Sequence, residues 1–317
     1  MIGQSLIKAK EFLLRGELVA IPTETVYGLA GNALEEKTVA KIFEAKNRPT
    51  FDPLIVHTFS TYQARKYVNI FPNWAEKLAE KYWPGPLTLL LPRNSLIPDI
   101  VTSGSDLVGI RIPNHPLTLN LLKELPFPLA APSANPFGYV SPTTAQHVAD
   151  QLENKIGYIL NGGTCQVGLE STIVGEKNGN ICIFRTGGVS IEEIESTLKK
   201  KVEILPSTSN PMAPGMLEQH YSPHKPLFIG NIPKLLEEFS DKKIGVISFS
   251  KDYSHLVKKS IVLTKKEDLK EAACRLFKTL RQMDKEDVEI ILTEIFPDLG
   301  LGKAINDRLK RAANKRK

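Results

Sequence analysis

Apolar residues recur along the first 200 positions in two alternating rhythms. Leu6, Ala9 and Leu13 stand three and four apart, with Lys8, Lys10 and Glu11 among them. That is the stripe of an amphipathic helix ending near residue 15. The apolar run at 18–21 is too short for that period and predicts a buried strand, closed by a turn at Pro22. Val39, Ile42 and Phe43 restore helical spacing over 35–45, and a polar loop through Pro49 and Pro53 then leads to a strand at 54–56. Two further helices, with Ser60 and Asn73 as N-caps, stop at Trp83-Pro84-Gly85-Pro86. Strands are predicted at 87–91, 107–112 and 129–131, with a helix from 115 to about 125. Asn178-Gly179 between 171–174 and 181–184 predicts a hairpin. The pattern is that of an α/β domain with a mixed sheet over residues 1–200.

Both rhythms are lost at 205–226, a stretch rich in Pro and Ser, so a linker is predicted, placed at 201–225. Beyond it, strands at 227–229, 244–249, 261–263 and 288–292 alternate with helical stretches, notably 267–283. That alternation predicts a smaller parallel-sheet α/β domain over 226–317. A chain of 317 residues is long enough for two such cores.

Charge and cysteine content narrow the function. The net charge is +6, yet residues 303–317 hold seven Lys or Arg against Asp307 alone. The excess therefore belongs to the C-terminal end, either as a solvated helix face or as a weak RNA contact. Cys165, Cys182 and Cys274 are odd in number, widely spaced and never CxxC. This speaks against a disulfide framework or a cysteine zinc site and for a cytoplasmic, reducing location. No apolar run approaches the roughly eighteen residues of a membrane span, so neither a span nor a signal peptide is expected.

The common catalytic signatures GxxxxGK[ST], GxSxG, HExxH and complete GxGxxG are missing. His220 and His224 are four apart, but Pro223 between them favours two loop histidines over a metal pair. What remains is a series of polar residues where strands give way to loops, the usual ligand positions of an open α/β sheet. Thr23, Glu24 and Thr25 follow the first strand and suit either a small polar substrate or a helix-entry turn. Lys46 and Arg48, two apart, suit a polyphosphate or a solvated helix end, with Asp52 close by and His57 after the next strand. Arg111 in an apolar strand needs an anionic partner or an exposed edge. Ser133 and Asn135, and later Glu170, Ser171 and Arg185, continue the series.

Taken together and in order, these stretches resemble the threonylcarbamoyl-AMP synthase family, whose catalytic unit is a YrdC-like domain. The resemblance is carried by PTETVYGL at 22–29, KNRPTFDPLIVH at 46–57, WPGPLTLLL at 83–91, GIRIP at 109–113, APSAN at 131–135, ESTIV at 170–174 and RTGG at 185–188. APGMLEQHYSP at 213–223 and GLGKAINDRLKRAA at 300–313 resemble the linker and final helix of the two-domain form, whose second domain is Rossmann-like.

The resemblance implies condensation of L-threonine, bicarbonate or CO2 and ATP into threonylcarbamoyl-adenylate with release of pyrophosphate. It also implies Mg2+ brought with the triphosphate, with no dedicated protein metal site, and a product that feeds the tRNA threonylcarbamoyl transferase machinery. Residue by residue, it implies Lys46 and Arg48 as the catalytic, phosphate-binding pair. Asp52, Leu107 (through its backbone), Ser133, Asn135, Ser141, Arg185, His220 and Tyr221 would complete the ATP set, and Thr25, His57, Arg111, Ala131 and Ser171 the threonine set. The linker is expected to act as a lid. Two positions depart from the family: Asp52 stands where Asn is common, and Thr186 where Pro follows the arginine. The competing readings are a noncatalytic RNA-binding or ribosome-maturation module, and a carbamoyl-transferring relative, which the missing acylphosphatase and zinc-finger segments disfavour.

Overall fold

A computed structural model of the chain describes residues 1–205, 213–215 and 221–313. The elements of the first domain are β1 (Ile2–Gly3), α1 (Leu6–Leu14), β2 (Val19–Ile21), β3 (Gly28–Asn32), α2 (Glu36–Lys46), β4 (Ile55–His57), α3 (Thr61–Arg65), α4 (Asn73–Tyr82), β5 (Leu87–Pro92), α5 (Asp99–Thr102), β6 (Leu107–Arg111), α6 (Pro116–Glu124), β7 (Leu129–Ala130), α7 (Ala145–Leu152), β8 (Tyr158–Leu160), β9 (Thr172–Lys177), β10 (Asn180–Arg185), α8 (Ile191–Leu198) and β11 (Glu203–Ile204). Its strands form one mixed sheet in the order β1-β8-β2-β3-β7-β4-β6-β5-β9-β10-β11.

Side chains alternate between the two sheet faces, and the core divides accordingly. Ala20, Val56, Leu89, Ile110, Val174 and Ile183 join the large cluster under α2, α4, α7 and α8, while Val19 and Ile21 face α1 and α6. The same second face further along the sheet, with Ile55, Leu90, Ile173 and Phe184, is covered instead by Ala213 of the linker. A helix gives way there to a strap.

Most predicted elements are present within two or three residues, and the Asn178-Gly179 turn has both φ values positive, at 54° and 77°, as a tight hairpin demands. The segment after Pro22 does not open a helix: it turns back as β3, antiparallel to β2 with Ile21 opposite Gly28. Local pattern hides this strand because a side chain is sterically barred at two of its positions. A Cβ on Gly31 would lie 2.7 Å from Thr38 Cγ2, and one on Gly28 would lie 3.2 Å from Ala131 Cβ. Ser60 caps α3 as expected, but Asn73 is already helical and Pro72 stands at the cap of α4. The sheet also continues beyond residue 200, since β11 pairs in parallel with β10 through Cys182 and Glu203.

The second domain comprises β12 (Leu227–Ile229), α9 (Ile232–Glu238), β13 (Ile244–Ser248), β14 (Lys259–Val262), α10 (Leu269–Lys285), β15 (Ile290–Thr293) and α11 (Leu301–Ala313). Its sheet, ordered β12-β15-β13-β14, is parallel throughout. One face of that sheet packs on a core of its own through Ile232, Ile244, Val246 and Leu292, whereas the core on the other face is shared: Val26, Val140 and Leu169 of the first domain join Tyr221, Phe277 and Leu309. Of the cations at the basic end of the chain, Lys310 is exposed and those at 315–317 lie outside the described residues, but the others are engaged. Arg308 and Arg311 are buried, and Lys303 pairs with Glu192. No helix among the described residues is long and apolar enough to cross a membrane.

Candidate active site

The strap and the sheet face beneath it enclose a cleft of about 560 Å³, its open mouth included, walled by β3, β4, β6, the 131–133 loop and the start of β9. The parallel pairing of β4 with β6 sets His57 beside Arg111. Both therefore share the face of Ile55 and Gly109, while Val56 and Ile110 turn to the core.

Arg111, buried at 4% exposure, is held by three bonds. Nε donates to the Gly85 carbonyl at 3.1 Å, Nη1 to Thr25 Oγ1 at 2.9 Å and Nη2 to Glu24 Oε1 at 2.7 Å. Glu24 is equally buried and also accepts the Asn114 backbone N–H at 3.0 Å. Of the five N–H groups on a guanidinium, two stay available for a ligand in the cleft. His57 beside it is buried, and burial with the neighbouring Arg111 pushes its pKa down to about 3, so the imidazole is neutral. Its Nδ1 meets no partner among the described residues.

Arg185 reaches the same cleft by an irregularity. Alternation along β10 would send it to the face of Ile183, into the helix-covered core, but the register shifts between Ile183 and Arg185, so Arg185 stands opposite Ile173 on the cleft face. There Nε and Nη2 donate to the Ser171 carbonyl at 3.1 and 3.0 Å, Nη2 also reaches Ser171 Oγ at 3.1 Å, and Nη1 holds the Pro214 carbonyl of the strap at 3.1 Å. Ser171 Oγ is shared with Thr88 Oγ1 at 2.7 Å. Gly215 (φ +79°) closes over this group, since a Cβ there would be 2.9 Å from both Arg185 Cδ and Tyr221 Oη. Tyr221 lines the cleft beside it, while His220 lies outside the described residues.

Arg48 lines the cleft, with Nε on the Asp52 carbonyl at 3.0 Å and Nη2 on that of Pro53 at 2.8 Å. Asp52 sits behind it, fully buried, with Oδ2 2.9 Å from Arg48 Nη2. Burial raises its pKa against the pull of Arg48 and Lys46. The departure from Asn at this position thus faces Arg48 and does not line the cleft. Lys46 is 1% exposed and donates to the Ser133 and Asn135 carbonyls, both at 2.5 Å. Burial, then Arg48, drives its pKa well below the ordinary lysine value. It lies under the 132–135 loop, outside the cleft lining.

Of the other expected contacts, Thr25, Ala131, Ser133 and Ser171 line the cleft, whereas Leu107, Asn135 and Ser141 do not. Asn135 Nδ2 donates to the Pro136 and Tyr139 carbonyls, bracing the loop, and Ser141 donates through Oγ to Glu170 Oε1 at 2.6 Å, behind the wall. Glu170 itself lines the cleft, and its Oε2 accepts Arg308 Nε from α11 at 2.9 Å. The sequence puts Glu170 in the polar series without a role of its own and singles out nothing at Arg308. The available signal was Arg308 itself, in register with Ala304 and Ala312 on the apolar stripe of an amphipathic helix.

Known proteins agree with this arrangement along the whole chain. The Sua5/YciO/YrdC family model, described as "Telomere recombination", matches residues 11–187, and the one described as "Threonylcarbamoyl-AMP synthase, C-terminal domain" matches 189–314. Threonylcarbamoyl-AMP synthase of Pyrococcus abyssi is 40% identical, covering 97% of this chain and 94% of its own length. That of Bacillus subtilis is 38% identical, covering 98% and 93%. The crystal structure of P. abyssi Sua5 complexed with L-threonine superposes with a TM-score of 0.94 at 38% identity, covering 99% of this chain and 97% of the other. With the matched motifs gathered around one cleft and both domains accounted for, the chain belongs to the threonylcarbamoyl-AMP synthase family.

Proposed function

We propose that this chain condenses L-threonine, bicarbonate or CO2 and ATP into threonylcarbamoyl-adenylate, releasing pyrophosphate, as the first step of tRNA threonylcarbamoyladenosine synthesis. The observation that carries this reading is the meeting of Arg48 from the loop after α2, Arg111 of β6 and Arg185 of β10 in one cleft whose described lining holds a single carboxylate, Glu170. Burial lowers the pKa of Arg48 and Arg185, and an entering anion relieves that penalty. Such a cleft suits two anions, a triphosphate and an amino-acid carboxylate.

The two free N–H groups of Arg111 hold the threonine carboxylate as a fork, and neutral His57 with Thr25 and Ser171 orients its amino and hydroxyl groups. The threonine amine adds to CO2 with loss of one proton, or to bicarbonate with loss of one water, to give a carbamate. A carbamate oxygen then attacks the α-phosphorus of ATP, the new P–O bond forms as the α–β anhydride bond breaks, and pyrophosphate leaves. No covalent enzyme intermediate is required; positioning and charge neutralisation suffice. Arg48 and Arg185 neutralise the phosphates, and Lys46 holds the Ser133 loop against them from behind. Mg2+ fits as a companion of the nucleotide. Both Glu170 oxygens are engaged, Asp52 is behind Arg48, and no group of three His, Cys, Asp or Glu side chains among the described residues converges for a metal. Phosphate oxygens and water would hold it, where it offsets phosphate charge. The strap through Pro214, Gly215 and Tyr221 shields the adenylate from water.

The test is pyrophosphate release with each substrate omitted in turn. Release must require threonine, bicarbonate and ATP together; full release without any one of them refutes the reading.

A further inference from the structure

Glu170 poses an electrostatic problem within the proposed function, on which this inference rests. A carboxylate in the wall of a cleft that must accept a triphosphate repels its ligand unless a cation offsets it. Within the first domain Arg185 is near enough for its charge to be felt by Glu170, but its N–H groups go to Ser171 and the Pro214 carbonyl, and no described cation of that domain hydrogen-bonds the carboxylate. The contact to Glu170 there is the neutral Ser141 hydroxyl, at 2.6 Å. The offsetting charge comes from the second domain, 138 residues further along the chain: Arg308 of α11, wholly buried, with Nε 2.9 Å from Glu170 Oε2.

The same guanidinium does three more things. Nη2 donates to the Thr186 carbonyl at 2.8 Å, directly after Arg185; Nη1 donates to Asp307 Oδ2 at 2.7 Å; and its Cζ lies over the ring of Tyr221, 5.1 Å from the centroid. Tyr221 stacks on Phe277 of α10 at 5.4 Å. One side chain of the accessory domain thus touches a cleft-wall carboxylate, the backbone beside Arg185 and the aromatic ring of the strap. Arg281 of α10 reinforces the junction, donating to the Ser141 and Val140 carbonyls. Burial works against the charge on Arg308, but Tyr221, Glu170 and Asp307 together outweigh it and raise its pKa.

We propose that Arg308 is a positioning residue for ATP, through which the accessory domain completes the site by compensating Glu170 and, together with Phe277, seating Tyr221. A stabilising contact alone would not need a carboxylate at the cleft surface, since an apolar pair of similar volume serves stability as well or better.

The test is ATP affinity by titration calorimetry on the full chain, read without turnover. Arg308→Met is expected to weaken ATP binding at least tenfold and Glu170→Gln to change it less than threefold. The double variant should return to within threefold of Glu170→Gln, because removing the anion removes the need for the cation. Arg308→Lys, which keeps the charge, should stay within threefold of wild type. A double variant as weak as Arg308→Met, or a lysine variant as weak as the methionine one, overturns the proposal. So does wild-type affinity in Arg308→Met. Should Arg308→Met not fold, the lysine and double variants carry the same two criteria. A chain that shows this coupling but fails the three-substrate requirement loses the synthase reading and keeps this one. A wild-type chain that does not bind ATP loses both.

Discussion

Replacing Arg111 by Met separates what the Glu24–Arg111 pair does for stability from what it does for threonine. Both partners are more than 90% buried, 2.7 Å apart. Removing one leaves the other as an uncompensated buried charge, a loss of about 3–5 kcal/mol. At about 2–4 °C per kcal/mol, the melting temperature should fall by roughly 6–20 °C. Glu24→Gln breaks the same pair from the other side and should cost a comparable amount. The two variants should part company in threonine binding. Arg111→Met removes the fork that the ligand carboxylate needs, worth about 3 kcal/mol for two charge-assisted hydrogen bonds, or about a hundredfold in threonine KM. Glu24→Gln removes the charge but keeps an oxygen that accepts from Nη2, leaving the fork in place, so threonine KM should change less than threefold. The assay is pyrophosphate release against threonine concentration at saturating ATP, below the melting temperature of each variant. Equal loss of threonine affinity in both variants would show that the pair acts only by holding the fold. An unchanged threonine KM in Arg111→Met would remove Arg111 from the threonine site.

Three further outcomes are expected. Lys46→Met should raise ATP KM while leaving threonine KM within threefold, because the Ser133 and Asn135 carbonyls lose their shared donor; an equal rise in both points to general unfolding. Protein stability should fall in acid through His57, whose folded pKa of about 3 lies below the ordinary 6.5. The unfolded chain then binds the extra proton, so this contribution is intact above pH 6.5 and is lost as pH falls toward 3, reaching about 2 kcal/mol at pH 5. Urea unfolding at pH 7 and 5 should show that difference against His57→Gln, and parallel pH slopes would contradict it. Gly215→Ala forces a Cβ to within 2.9 Å of Arg185 and Tyr221 at a positive φ, so the strap should lift. The adenylate should then hydrolyse faster with little change in melting temperature, and unaltered adenylate lifetime would mean the strap is not a shield.

Much of the site could be read before any coordinates because the relevant information is local. Period-two alternation places Ile55 with His57, and Gly109 with Arg111, on one sheet face, whatever lies opposite. The hairpin turn at Asn178-Gly179 follows from the φ values those residues tolerate. β3 escaped because glycines selected for close approach carry no hydrophobic signal. Lys46 illustrates a different limit: a Lys two residues before an Arg looks like a second phosphate ligand, but only the fold shows the ammonium buried under the 132–135 loop.

Three features belong to the tertiary structure alone. Alternation assigns Arg185 to the core face, and a one-residue slip against β9 reverses that assignment. The resemblance makes Ser141 a nucleotide contact, yet its hydroxyl donates to Glu170 from outside the cleft lining. In the sequence Arg308 is one more charge on a basic end; packing of α11 against the first domain makes it the partner of Glu170. In each case the deciding partner is one that the local pattern does not name, and Arg308 shows it most plainly. Secondary structure and facing are set by neighbours a few residues away, whereas the partner of a charge across 138 residues depends on which surfaces the shared core of the two domains brings together.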